Sequence, residues 1–245
     1  MRNICLLLEY DGTAYHGWQR QKNALSIQEV VETALGRLTG EEVRVTASGR
    51  TDAGVHALGQ VANFPTQSSI PLKAFVQGLN AQIPKDIAVL EAREAPPEFH
   101  ARFAARSKTY EYRLLCRPVR SPVELRYCWH LTRPLDLEAM AQAGAALHGE
   151  HDFSAFKASG SDTHHAVRQV LSAAWQAGEG GRARFVITAN GFLRGMVRSL
   201  VGTMVEIGQS KRPPEDLAGL LASGDRRNAG ATAPASGLFL VEVHY

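Results

Sequence analysis

Apolar and polar positions change period often enough along the chain to outline its elements. Residues 3–10 hold a short apolar run, Ile4 to Leu8, that stops at a polar, glycine-containing stretch, which predicts a strand followed by a loop over 11–21. Ser26 with Glu29 three positions on has the form of a capping box. Ile27, Val30, Val31, Ala34, Leu35 and Leu38 then keep one apolar face until Gly40, so a helix is predicted between them. Strands are predicted at 42–48 and 57–64, a helix at 71–82, and strands at 86–93 and 106–116. Further on come a helix near 135–148, strands near 168–177 and 182–190, and a long helix from 192. That last helix is marked by two adjacent rows, Phe192, Met196, Leu200, Met204 and Leu193, Val197, Val201, Val205. A closing strand runs from Leu238 to His244.

The elements do not alternate strictly as strand, helix, strand, so the fold class expected is α+β with a largely antiparallel sheet. Two halves are expected, 1–105 and 106–245, sharing one body with a central cleft. The break is set at the basic stretch Arg102 to Lys108, which separates two sets of elements and contains no flexible linker.

Composition narrows the class. A chain of 245 residues can bury a core without disulfide or metal staples, and its 44% apolar and 21% charged residues are those of an ordinary globular protein. No apolar run is long enough to span a bilayer, and the five apolar residues before Glu9 lack the length and cleavage site of a signal peptide. No membrane association is expected. Cys5, Cys116 and Cys128 are odd in number and widely spaced, which fits a reducing cytoplasm. Net charge is only +3, yet 21 of the 27 basic residues are Arg, whose planar fork grips phosphate in two places. Between Arg93 and Arg133 eight arginines and Lys108 face four glutamates, a local net charge of +5. A polyanionic partner and an ordinary solvated surface are both consistent with that imbalance.

The segment with most chemical content is Ser48-Gly49-Arg50-Thr51-Asp52-Ala53-Gly54-Val55-His56-Ala57. Asp52 stands on a turn between two glycines that permit sharp geometry and close approach of another chain. Arg50, two positions away, is expected to help keep the carboxylate ionised. Two roles are open on the residues alone: a reactive carboxylate, or a structural turn or N-cap aspartate. His148 with His151 and the pair His164-His165 lack a third ligand at metal spacing, so no metal site is expected. A zinc-deaminase pattern, a phosphate loop, a dinucleotide fingerprint and a nucleophile elbow are all absent from the sequence.

Gly49-Arg-Thr-Asp-Ala-Gly-Val-His-Ala57 resembles the signature of the tRNA pseudouridine synthase A family. Tyr10 to Gln21, Gly78 to Ile87, Phe99 to Phe103, Lys108 to Arg113, Gly149 to Phe156 and Ala231 to Val243 resemble family segments in the same order, so the likeness covers essentially the whole chain. It implies a pseudouridine synthase fold of two α+β halves, no cofactor, and a homodimer acting on the anticodon arm of tRNA at positions 38, 39 and 40. It also implies roles for single residues. Asp52 matches the catalytic aspartate, by a covalent or a glycal route. Tyr110 matches an active-site tyrosine able to stack on uracil, its alternative being a core aromatic alongside Tyr112. Arg198 matches the arginine of a Met-Val-Arg segment, and Leu240 an apolar residue near the uracil, with plain core packing as its alternative. Arg50 is the candidate to brace the gap left by a flipped base. Gly195 departs from the family pattern, which commonly has His before Met-Val-Arg, so contacts ascribed to that His do not carry over.

Two other classes compete, a non-catalytic RNA-binding module and a metal-dependent hydrolase. A carboxylate in a glycine turn argues against the first, since it would repel phosphate. The lack of a third ligand argues against the second.

Overall fold

A computed structural model describes residues 1–158 and 165–245. The chain forms two compact units, Met1–Arg106 with Leu240–Tyr245, and Ser107–Phe239.

The first unit is built on β1 (Arg2–Tyr10), α1 (Ile27–Thr39), β2 (Thr46–Ala47), β3 (His56–Thr66), α2 (Leu72–Asn80) and β4 (Ile87–Ala95). β1 lies between β4 and β3, antiparallel to both, and β2 pairs with β3 at Asn63 and Ala62. Ile4, Leu6 and Leu8 alternate onto one face and are wholly buried, as are Phe64 of β3 and Phe75 of α2, whose rings meet edge to face at 5.7 Å. α1 starts where the Ser26 hydroxyl accepts from the Glu29 N–H at 3.3 Å and stops at Gly40, which takes the left-handed φ of 76°. It buries Ile27, Val31, Ala34 and Leu35, with Val30 and Leu38 at the margin.

The strand expected at 42–48 is reduced to Thr46–Ala47, and the reason is a buried carboxylate. Glu32 of α1, 4% exposed, accepts from the Val45 N–H at 3.1 Å and from Gln28 Nε2 at 2.9 Å, and pairs with Arg20 at 3.3 Å and Arg44 at 3.2 Å. Gln28 Nε2 also donates to the Val45 carbonyl. Both backbone groups of Val45 are thus bonded to side chains, and ladder bonds have no claim on them.

The second unit holds β5 (Ser107–Cys116), β6 (Trp129–Leu131), α3 (Leu137–Ala145), β7 (Gly149–Asp152), β8 (Val167–Ala177), β9 (Arg182–Ala189), α4 (Met196–Gly208) and α5 (Asp216–Ser223). Its strands run β5-β9-β8-β7, each antiparallel to the next, while β6 lies parallel to β5. The closing strand β10 (Leu238–His244) begins in this unit, and its residues from Leu240 onward belong to the first, where Val241 lies close against Gly59 of β3. Among the pairings described above β5–β6 is parallel and the others are antiparallel, so the pairing is largely antiparallel and the fold is α+β.

α4 begins later than its two apolar rows suggest. Gly195 adopts φ 70° at its N-cap, so Phe192 and Leu193 precede the helix. Every residue of α4 except Arg198 and Glu206 is buried, which makes it a core helix and not a half-exposed one. β6, β7 and α5 were not foreseen. Each is short, three, four and eight residues, and too brief for a period to show.

Removing the Ser26 hydroxyl leaves the Glu29 N–H of α1 without its cap. Ser26→Ala should lower unfolding stability by about 1 kcal/mol, read as a lower urea midpoint at unchanged slope.

Candidate active site

Asp52 sits on a detour of the first unit's sheet. The Ser48 N–H makes a last contact with the Val61 carbonyl at 2.8 Å, then the chain leaves the sheet and returns as β3 at His56. A backbone loop buried beside a sheet must find partners for its polar groups elsewhere. Side chains from β1 and β3 supply them on one side. The Ser48 hydroxyl donates to Gln60 Oε1 at 2.7 Å, and Gln60 Nε2 donates to the Gly49 carbonyl at 3.0 Å and to the Tyr10 hydroxyl at 3.4 Å. Tyr10 and Thr51 share a hydroxyl contact of 2.8 Å. Gln60 and Ser48 are 0% exposed and Tyr10 3%, so this chain of bonds runs through a dry interior where each is costly to leave unmade. Burial pushes the Tyr10 hydroxyl up to about 12, against the opposing hydrogen bonds of Thr51 and Gln60.

The loop after β1 braces the other side. The Trp18 N–H donates to the Thr51 carbonyl at 3.1 Å, the Gly54 N–H to the Tyr15 carbonyl at 3.2 Å, and within the turn the Val55 N–H to the Asp52 carbonyl at 3.1 Å. Contact is closest at two glycines. A Cβ on Gly17, whose φ is 87°, would lie 2.5 Å from the Thr51 carbonyl oxygen, and one on Gly12 would lie 2.0 Å from that of Val55. The Gly12 N–H, fixed as a donor, points at His56 Nδ1 at 3.1 Å. Asp11 Oδ1 stands equally near the same nitrogen, a pairing that would need Nδ1 protonated. Nδ1 thus stands between a backbone donor and a carboxylate, which fixes the ring of His56 at the foot of the turn.

Thr51 is thus buried and held, Ala53 is exposed, and Asp52 between them is half-buried. Arg50 does not meet the expectation set for it. It is exposed and makes no ion pair with Asp52, because Ser48 to Gly54 is a turn and residues two apart do not share a face there as they would on a strand. Leu240 is fully buried on β10.

Tyr110 and Arg198 lie in the second unit. Tyr110 of β5 pairs in register with Ile187, is 7% exposed, and meets the Phe192 ring edge to face at 4.9 Å. Tyr112, next on the same face, is fully buried and donates to the Pro234 carbonyl at 2.8 Å. Arg198, half-buried on α4, donates through Nε to the Ala233 carbonyl at 2.8 Å, while the Ala233 N–H returns to the Arg198 carbonyl at 3.0 Å. That segment lies so close to α4 that a Cβ on Gly202 would meet the Ala231 carbonyl oxygen at 1.7 Å. Gly195 faces Ala158, whose Cβ is 3.1 Å from where its own would be. Of the histidine pairs, His151 Nε2 bonds the His148 carbonyl at 3.0 Å, and His164 falls outside the described residues. Among the described residues no cluster of three or more metal-ligating side chains occurs.

Ser48 and His56 stand within the glycine-turn segment and Tyr10 opens a family-like one, but no role was assigned to them or to Gln60, so their support of the turn was not anticipated. The signal available was the pair of glycines at 12 and 17, which marks a loop pressed against something.

A half-buried carboxylate on a rigidly bonded turn, in an α+β fold of mainly antiparallel strands, defines a candidate acid–base or nucleophilic enzyme. The family model of tRNA pseudouridine synthase matches residues 7–104 and 143–245. The chain is 48% identical over 245 residues to a protein named tRNA pseudouridine synthase A from Syntrophotalea carbinolica, covering all of this chain and 97% of that one. Proteins of the same name from a Thermoanaerobacter species and from Myxococcus xanthus are 46% and 49% identical, over all of this chain and 100% and 92% of theirs. The chain belongs to the tRNA pseudouridine synthase family, isomerases that convert uridine to pseudouridine.

Tyr10→Phe tests the brace beneath Asp52. Losing the hydroxyl strands Thr51 and Gln60, so stability at neutral pH should fall by about 1–2 kcal/mol. The pH dependence has a definite sign. The folded hydroxyl ionises at about 12 against a reference of 10.0, so its stabilisation is complete below pH 10 and disappears as pH rises through 12. Urea titrations should show a shallower decline over that window for the variant than for the wild type.

Proposed function

We propose that this chain isomerises uridine at positions 38, 39 and 40 of the tRNA anticodon arm, with Asp52 as the catalytic carboxylate. The observation that carries the reading is the turn itself: Thr51 and Gly54 on either side of Asp52 are tied to buried framework, so the carboxylate is presented at fixed height. Isomerisation breaks the N1–C1′ bond, turns the uracil and joins C5 to C1′. The C5 proton leaves and N1 takes one up, so atoms and electrons balance with no oxidant, reductant or cofactor. Attack at C1′ and removal of a C2′ proton both need an anionic carboxylate, and Asp52 serves either.

Tyr110 offers a ring for the uracil, steadied by Phe192 against it. Arg198, clamped at its backbone and Nε to Ala233, holds its guanidinium in a set position on α4, where we place it as a substrate-positioning residue. Arg50 is exposed and has no ion-pair partner among the described residues, a state that supports a role in meeting the RNA. Leu240 serves as packed apolar backing. The protein works in the cytoplasm as a homodimer; no helix among the described residues is long and apolar enough to cross a membrane.

Asp52→Asn keeps the size of the side chain and removes its charge. Incubated with tRNA carrying 5-tritiated uridine, the variant should release less than about a hundredth of the wild-type tritium, a barrier increase of about 2.7 kcal/mol. Its affinity for tRNA should persist, falling with salt linearly on a log-log plot as phosphate contacts require. Residual turnover above that level would make Asp52 a structural turn residue.

A further inference from the structure

Phe103 is 76% exposed, in a tight turn of the first unit that lies outside the catalytic loop. An isolated apolar residue at a surface needs no explanation, but this one is held in place. Its ring stacks on His100 at 4.3 Å with 27° between planes. His100 Nδ1 accepts from the N–H groups of both Arg102 and Phe103, at 3.2 and 3.3 Å, and the His100 carbonyl accepts from Ala104 at 2.9 Å.

The turn is in turn fastened to the sheet. Asn3 of β1 and Asn63 of β3, 7% and 8% exposed, both donate to the Phe99 carbonyl, and Asn63 Oδ1 accepts from the Ala101 N–H at 2.8 Å. The Tyr245 hydroxyl donates to the Ala101 carbonyl at 2.9 Å. Two buried amides and a terminal tyrosine thus fix a loop whose outermost feature is a bare phenyl ring. Loops with no task to perform are not usually so tied, and fixing the ring in advance removes the ordering cost of anything that stacks on it.

The surroundings say what would stack. Arg102 stands with its guanidinium carbon 5.5 Å from the Phe103 ring centre, and Arg93 stands at the same distance from Phe99. Arg93, Arg102 and Arg106 are exposed and have no carboxylate partner among the described residues, and Glu98 is the one acid between Pro96 and Arg106. His100 stacks on the phenyl, most of the ring still faces solvent, and a flexible, exposed Arg102 side chain lies over it where a base could take its place. Single-stranded nucleic acid offers the matching pair of features, a flat base and a phosphate on either side.

We propose that the His100–Ala104 turn is a docking point for an unpaired base of the RNA substrate, with the base on Phe103 and neighbouring phosphates on Arg102 and Arg106. This rests on the reading of tRNA as substrate and extends it to a contact apart from Asp52. A base inside a duplex has no free face, so the base taken is one in a loop or already extruded.

The test is tRNA binding by filter retention, in an Asp52→Asn background so that no turnover intervenes and an error in the Asp52 assignment leaves the result readable. Phe103→Ala should weaken tRNA binding on the order of tenfold, and Phe103→Trp should restore most of it, since stacking needs a ring and not a particular one. A blunt-ended RNA duplex of two strands, with no unpaired bases, should bind the Ala and parent proteins alike. The exposed site predicts unchanged melting temperature for both variants. Equal tRNA affinity for Ala and parent overturns the proposal, as does a Trp variant no better than Ala, or an equal penalty on the blunt-ended duplex. Light scattering covers the remaining occupant: if Phe103→Ala dissociates a self-associated wild type, the ring belongs to a second copy of the chain and the proposal fails.

Discussion

The chemistry of the first unit depends on one constraint: a stretch of chain that leaves the sheet at Ser48 and rejoins it at His56 must satisfy its backbone polar groups without a ladder. Gln60 takes one backbone group, the Gly49 carbonyl, and because an amide both donates and accepts it also ties the Ser48 and Tyr10 hydroxyls together from one fully buried position. The rest comes from a neighbouring loop whose backbone lies against the turn at Gly12 and Gly17, where side chains would collide. The result is a rigid platform with one carboxylate at its edge. Mobility there would cost reactivity, since placement of a reacting group within a fraction of an ångström is worth several kcal/mol of barrier.

Charge is distributed to two ends. Glu32 is withdrawn from solvent and spends its oxygens on Val45, Gln28, Arg20 and Arg44, which turns a costly buried ion into a clamp between α1 and the segment leading to the turn. Arg50, Arg93, Arg102 and Arg106 do the opposite, remaining exposed with no acid to neutralise them among the described residues. Exposed pairs contribute little to stability in any case, so leaving these arginines unpaired costs the fold almost nothing and leaves positive charge for a phosphate backbone.

Long, well-bounded elements were readable from sequence because their signals are local. α1 carries its cap, its apolar stripe and its terminating glycine within fifteen residues, β9 alternates buried and less buried positions along its length, and β3, β5 and β8 are long runs of ten or eleven residues. The start of α4 was misplaced for an equally local reason that pattern alone does not weigh: Gly195 in the left-handed region breaks the helix although the apolar rows run through it. The strand expected at 42–48 was shortened to Thr46–Ala47 for a nonlocal one, a carboxylate on another element taking the Val45 N–H.

For the site, the sequence by itself determined which residue types stand in the glycine turn and, by likeness to a family, that Asp52 is the one to watch. It could not determine Asp52's surroundings. Arg50 is two residues away in sequence yet makes no pair with it, whereas Tyr10 is forty-one residues from Thr51 and hydrogen-bonded to it. Local sequence dictates backbone preference and period, because those arise from contacts within a few residues. Partners of buried polar groups are chosen by whichever donors and acceptors the packed elements bring within about 3 Å, and only tertiary structure decides that.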